Sequence, residues 1–260
     1  MFSKLLKSAD LRQLSSFVSP AFFDVLPARK IWSRGRALMI SKSSPEYRDA
    51  VSARARSLQA VPLAVELPGQ PVSRDTLGDD QKAHATRLVT LYFEQIYSDT
   101  PTLLDLRGQS ARSRPGQLAW DPAPWVARWS PDFHTALRNL YEGFYAPDDA
   151  LLTESLKALR IDIAEDLFRQ HFGAHPEAQR FVMKDFVNTF HQVFVRCKEQ
   201  KRELHEDFLA LGVYLATLYD HLDGIPVEID VAGCYARARR RAKEARTNGA
   251  ATVDGQARHG

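Results

Sequence analysis

The chain has 260 residues, of which 44% are hydrophobic and 10% aromatic, a composition typical of a globular protein with a sizeable core. Its 35 basic and 32 acidic residues nearly cancel, which excludes the strong overall field of a general nucleic-acid binder. Two cysteines, Cys197 and Cys234, are too few for a disulfide framework, and no apolar run is long enough to span a bilayer. We therefore expect a cytoplasmic protein with reduced thiols.

Residues 1–78 are predicted to form a small α+β segment. Two stretches, 31–40 and 61–67, have the alternation and the β-branched residues of short strands. Between them, a serine followed by a proline marks the start of a helix that we expect over 47–59. Prolines and a glycine then interrupt the pattern, so residues 68–78 are predicted to be a linker.

Residues 79–247 are predicted to form a helical bundle. The first helix begins at Asp79 with one apolar face, and a further helix is expected over 131–145. Between them, residues 107–116 have the composition of a loop. Three long helices follow between Pro147 and Gly224, because apolar residues recur there at spacings of three and four.

The C-terminal part is predicted to contain one more helix, over 232–246, followed by a polar tail at 248–260 that we expect to be disordered. The predicted fold class is therefore mainly α. It comprises a bundle of six to seven helices with a small α+β part at the N-terminus.

Two local clusters of basic residues predict contacts with a partner. Clusters of this kind bind nucleic-acid phosphates or acidic protein surfaces. The alternative is a solvated terminal helix and a loop without function, since no aromatic residue interleaves with the basic ones in the helix. The cluster residues are Arg107, Arg112 and Arg114 in the loop, and Arg237, Arg239, Arg240, Arg241 and Lys243 in the last helix.

Three carboxylates form a candidate metal site. Asp162 and Asp166 are four residues apart and so project from one side of a helix, and Asp220 lies near the end of the last bundle helix. Carboxylates on facing helices can hold a Mg²⁺-bound diphosphate. The competing interpretation is that Asp162 and Asp166 form surface ion pairs with Arg160 and Arg169.

Three further residues are candidates for binding an apolar ligand. Gly212 and Ala216 are small residues four apart, which either leave room for a flat ligand or allow another helix to approach closely. His191 borders the predicted core face of its helix, where a structural histidine is the alternative.

Motifs of nucleophilic catalysis and phosphate binding (GxSxG, GxxxxGK[ST] and GxGxxG) do not occur in the sequence. We therefore expect a non-catalytic protein that binds a macromolecular partner through its basic clusters. A protein partner is favoured, nucleic acid is an alternative through the last helix, and self-association is also open. The alternative function is an all-α enzyme or carrier for an isoprenoid-like ligand, with Mg²⁺ held by the three carboxylates.

Overall fold

A computed structural model describes residues 40–57, 63–65, 81–114, 116–172 and 179–257, with six single residues between 25 and 38. The protein is mainly α, as the sequence predicts. Its elements in chain order are α1 (Pro45–Ser57), β1 (Leu63–Val65), α2 (Gln81–Tyr97), β2 (Thr102–Leu103), β3 (Ala111–Arg114), β4 (Gln117–Trp120), β5 (Val126–Ala127), α3 (Pro131–Tyr145), α4 (Asp149–Ala158), a 3₁₀ turn (Asp162–Ala164), α5 (Glu165–Phe172), α6 (Met183–Glu199), α7 (Phe208–Asp223) and α8 (Val231–Ala257).

Helix α2 runs through the centre of the molecule. Every residue from Leu88 to Ile96 is buried, so the helix has no solvent-facing side for about two and a half turns. Its neighbours include α3, α7, α8 and strands of both sheets. The sequence predicts a helix with a single apolar face, whereas the structure surrounds this helix on all sides.

Two small sheets lie beside the helices. β4 pairs in parallel with β1 and antiparallel with β3, and a separate antiparallel pair joins β2 to β5. The strand predicted over 61–67 is confirmed at Leu63–Val65, and its pairing with β4 places a strand of the predicted N-terminal segment in a sheet with later residues. The other predicted strand, 31–40, is wrong, since its described residues before Ile40 are helical; a short apolar run suits either element, and its alanine and leucine favour helix.

The loop predicted over 107–116 contains a β-strand. β3 begins at Ala111, which is buried and pairs with Trp120 of β4. Gly116 lies in the turn between the two strands with a φ of 69°, a conformation that glycine adopts without steric cost. Composition indicated a loop because the strand has four residues and two of them are arginines. The pairing with β4 supplies the backbone hydrogen bonds that stabilise it.

The first long bundle helix is divided in two. Arg160 has a φ of 63°, and the Ile161 N–H donates to the Leu156 carbonyl oxygen at 2.9 Å, which is the hydrogen bond of a Schellman helix end. The chain re-enters helix at Glu165 after the 3₁₀ turn. Leu152, Leu156, Leu159 and Leu167 are buried and Ile163 is partly buried, so the predicted apolar stripe is kept although the helix is not continuous.

Helix α8 continues to Ala257, beyond the predicted end at residue 246. The backbone is therefore helical through 248–257, where the sequence predicts a disordered tail; several alanines there favour helix. Among the described residues, no helix combines the length and apolar character that crossing a membrane requires.

Both cysteines are buried and unpaired, as expected. Cys197 lies on the core side of α6, and burial raises the pKa of its thiol to about 11. At neutral pH the thiol is therefore protonated and acts as a small apolar side chain.

Two glycines differ sharply in the space around them. A Cβ at Gly143 of α3 would lie 2.6 Å from the Leu152 backbone nitrogen of α4, so this glycine allows the two helices to pack closely. At Gly212 of α7, no described atom lies within 4 Å of such a Cβ. The close helix approach weighed for Gly212 and Ala216 is therefore found at Gly143.

We expect Gly143→Ala to lower the free energy of unfolding by about 1–3 kcal/mol, because the methyl group would overpack the α3–α4 contact. Gly212→Ala should raise it by about 0.5–1 kcal/mol, since alanine favours helix and nothing obstructs the methyl group. Urea unfolding of the two variants beside the wild type measures both effects. Equal losses of stability at the two sites would contradict this account.

Candidate partner-binding groove

A groove of about 920 Å³ lies between the end of α3 and the first half of α8. It is lined by small residues and by Tyr145 and Tyr235, whose rings stack with centroids 4.7 Å apart. Three cationic side chains and one anionic side chain also line it. The lining residues are Tyr145, Ala146, Ala232, Gly233, Tyr235, Ala236, Arg239, Arg240, Lys243 and Glu244.

Two ion pairs hold α8 against the rest of the protein. Arg241 pairs with Glu94 of α2, and Arg239 pairs with Glu142 of α3, which also accepts a hydrogen bond of 2.8 Å from the Tyr235 hydroxyl. Glu94 is buried. Burial raises the pKa of its carboxyl group, while the hydrogen bond and charge of Arg241 oppose that shift.

The predicted partner-binding residues of α8 therefore divide into two groups. Arg239 and Arg241 are bound to carboxylates inside the protein, and the half-buried Arg237 donates to the Cys234 sulfur at 3.2 Å. Arg240 and Lys243 are exposed and line the groove. Arg240 has 68% of its side chain exposed and lies 3.9 Å from Glu244.

Arg241→Ala should lower the free energy of unfolding by about 3 kcal/mol, because it leaves the buried Glu94 carboxylate without its partner. Arg240→Ala is the matched control on the same helix, and it should change stability by less than about 0.5 kcal/mol, since exposed ion pairs contribute little. Chemical denaturation of both variants at neutral pH tests this. Comparable effects of the two substitutions would refute the anchoring role of Arg241.

Arg107, from the predicted arginine loop, is buried in an ion pair. Its Nε lies 2.8 Å from Asp105 Oδ1, and its guanidinium carbon lies 4.4 Å from the Trp125 ring centroid. The Asp105 carboxylate also accepts a hydrogen bond from the Ala123 N–H at 2.8 Å. The backbone carbonyl oxygen of Asp105 accepts a hydrogen bond from Trp120 Nε1 at 2.7 Å. Arg107 therefore organises the protein interior and is not a surface contact.

The three loop arginines do not form one anion clamp. Arg112 is half-buried on β3, and Arg114 lies two residues further along the same strand. Arg107, in contrast, is held in the interior by Asp105. Arg112 is not among the described residues that line the α3–α8 groove.

The Asp105–Arg107 pair predicts acid sensitivity. Burial raises the pKa of Asp105, but hydrogen bonding and charge from Arg107 outweigh burial, so its pKa lies below the ordinary value. The unfolded chain therefore binds a proton more readily than the folded protein, and the stability from Asp105 is lost as pH falls below about 4. Asp105→Asn should remove this part of the acid dependence and lower stability by about 3 kcal/mol at pH 7, where Arg107 stays buried and charged.

Urea unfolding at a series of pH values between about 2 and 7 measures both effects. An acid dependence that is identical in the wild type and Asp105→Asn would contradict the assignment.

The predicted metal-binding carboxylates do not converge. Asp166 pairs with Arg196 of α6 at 2.8 Å, Asp162 lies 3.5 Å from Arg202, and Asp220 is half-buried on α7. In the part of the chain that the structure describes, no group of three or more His, Cys, Asp or Glu side chains is placed to hold a metal ion. Asp166 and Asp162 therefore pair with Arg196 and Arg202, which are distant in the sequence. The sequence suggested Arg160 and Arg169 as their partners.

The three predicted ligand-binding residues are also separate from the groove. His191 is exposed on α6, Gly212 is half-buried and Ala216 is buried, both on α7. None of the three lines the α3–α8 groove. The position of His191 at the core border, inferred from its spacing, is wrong because α6 turns that side toward solvent.

A second groove, of about 550 Å³, lies beside β5 and the start of α7. Its charged side chains are already engaged: Arg128 lies 2.9 Å from Glu46, and Asp207 accepts from the Ser130 amide and hydroxyl at 2.9 and 2.6 Å. The α3–α8 groove differs from it in carrying stacked tyrosines and, in Arg240 and Lys243, two exposed cations.

Sequence reasoning missed a contact between two histidines. His84 of α2 and His221 of α7 approach each other with their Nε2 atoms 3.0 Å apart. The two residues are 137 positions apart in the chain, and no local spacing links them.

A scan against protein-family models and a search of curated proteins give no match for this chain. The function is therefore inferred from the geometry of the groove and from the placement of its charges.

Proposed function

We propose that this protein is a non-catalytic interaction protein whose α3–α8 groove binds an acidic segment of a protein partner. The observation that carries the proposal is the composition of the groove. Its lining includes two stacked tyrosines, and three cationic side chains against one anionic side chain. Tyrosine and arginine are enriched among the residues that dominate binding energy at protein interfaces.

The anchoring of α8 supports this function. Because Arg239 and Arg241 bind Glu142 and Glu94, the helix is held in place when Arg240 and Lys243 meet a partner. A pre-organised contact surface binds more tightly, since less conformational freedom is lost on association. The exposed cations add electrostatic attraction, which speeds association and weakens as salt is added.

A protein partner fits better than nucleic acid. The whole chain has a net charge of only +3, and Arg107, which was expected to add to a basic surface, is buried. The two buried, unpaired thiols support a reducing, cytoplasmic location.

The combined variant Arg240→Glu, Lys243→Glu tests the proposal. In a pull-down from an extract, the variant should fail to retain partners even at about 50 mM salt. The wild type should retain them at that salt concentration and lose them at about 300 mM. With a purified partner, the dissociation constant should rise by roughly tenfold or more in the variant.

The matched control is Lys157→Glu, Lys184→Glu, which makes the same change in net charge at exposed positions on α4 and α6 and should keep the partner. Nuclease treatment of the extract separates a nucleic-acid-mediated capture from a direct one. Retention of the same partners by the groove variant, or their loss after nuclease treatment, would overturn the proposal.

A further inference from the structure

The histidine pair between α2 and α7 has a geometry that the proposed function does not use. His84 is 7% exposed, and His221 is half-buried. The rings are tilted by 55°, with centroids 4.9 Å apart, and their Nε2 atoms face each other at 3.0 Å.

The hydrogen bonds determine the tautomer of His221. Its Nδ1 lies 2.9 Å from the Leu106 carbonyl oxygen, which can only accept, so Nδ1 carries the hydrogen in the neutral ring. The Nε2 atom of His221 therefore has a free lone pair directed at His84. An Nδ1–H bound to a backbone carbonyl is also the arrangement that orients a metal-binding histidine.

The second ring completes a short chain of hydrogen bonds. His84 Nε2–H donates to the His221 lone pair in the metal-free protein, which leaves His84 Nδ1 as an acceptor. That atom is buried and has no hydrogen-bond partner among the described residues.

Both rings are neutral at pH 7, the form in which imidazole binds metal ions. Burial, the facing His221 ring and Arg87 lower the pKa of His84 to about 4. Burial also lowers the pKa of His221, although the Leu106 carbonyl, Asp220 and Asp105 oppose that shift.

We propose that His84 Nε2 and His221 Nε2 together bind one divalent late transition metal ion, with Zn²⁺ as the reference ion. Two Zn–N bonds of about 2.0–2.1 Å at a tetrahedral angle place their nitrogens about 3.3 Å apart. The rings must separate by only about 0.3 Å from the distance in the structure. On binding, the metal ion replaces the hydrogen on His84 Nε2 and Nδ1 takes up one proton, so the ring stays neutral and no net proton is released.

The remaining coordination positions are open. No third His, Cys, Asp or Glu side chain joins the pair within the described residues, so water completes the shell and the ion is exchangeable. Gly108, an exposed loop residue, lies against the His221 ring: a Cβ there would lie 3.6 Å from Nε2.

The test uses the full chain, freed of any affinity tag and stripped of metal with a chelator. Zn²⁺ titrated into the wild type by calorimetry at pH 7 should bind at one site and raise the Tm. His84→Gln and His221→Gln should each weaken binding by roughly tenfold or more and abolish the Tm shift. His191→Gln, which removes an exposed histidine, is the control and should bind like the wild type.

A second readout does not depend on whether the variants fold. In the wild type, Zn²⁺ should shift the imidazole ¹⁵N resonances of His84 and His221 in NMR spectra and leave those of His191 unchanged. Failure of the wild type to bind Zn²⁺, binding that only His191→Gln weakens, or unshifted resonances of the pair would each overturn the proposal.

Discussion

The burial of helix α2 on all sides from Leu88 to Ile96 is the constraint on which the other elements depend. A helix that water cannot reach must have every polar side chain paired within the protein, because an unpaired buried polar group is costly. Thr90 donates to the Thr86 carbonyl within the helix. Gln95 binds the amide and carbonyl of Leu103, which ties β2 to α2. Glu94 requires a cation, and Arg241 of α8 supplies it.

The same requirement determines the surface of the protein. Arg241 and Arg239 of α8 pair with Glu94 and Glu142, and the intervening Arg240 faces solvent. Small residues of α8 and the stacked Tyr145 and Tyr235 line the groove beside that helix. Neighbouring residues of one short basic stretch are thus either paired with carboxylates or exposed to solvent.

A second internal arrangement joins α7 to the segment that follows β2. Thr217 donates to the Leu104 carbonyl at 2.7 Å, and His221 Nδ1 bonds the Leu106 carbonyl. Asp105, between them, points the other way and holds Arg107 and the Ala123 amide. The extended chain therefore uses its alternating directions to bind α7 on one side and the arginine on the other. The histidine pair lies where this segment, α2 and α7 meet.

Local spacing in the sequence determines the helices, because a period of three to four apolar residues is a property of the helix itself. It predicts the mainly α fold, the bounds of α3, the buried side of α6 with Cys197, and the end of α7 at Gly224. It also indicates that α8 is basic, and three of its five candidate residues, Arg239, Arg240 and Lys243, line the groove.

Only the tertiary structure decides which polar residues meet. Arg241 reaches Glu94 across 147 positions, His221 reaches His84 across 137, and β4 pairs with β1 across more than 50. A charged residue has the same local signature whether its partner is water or a buried carboxylate, since burial is created by other segments. For this reason the sequence alone shows a row of basic residues on α8, and the folded protein separates it into residues paired with carboxylates and residues exposed to solvent.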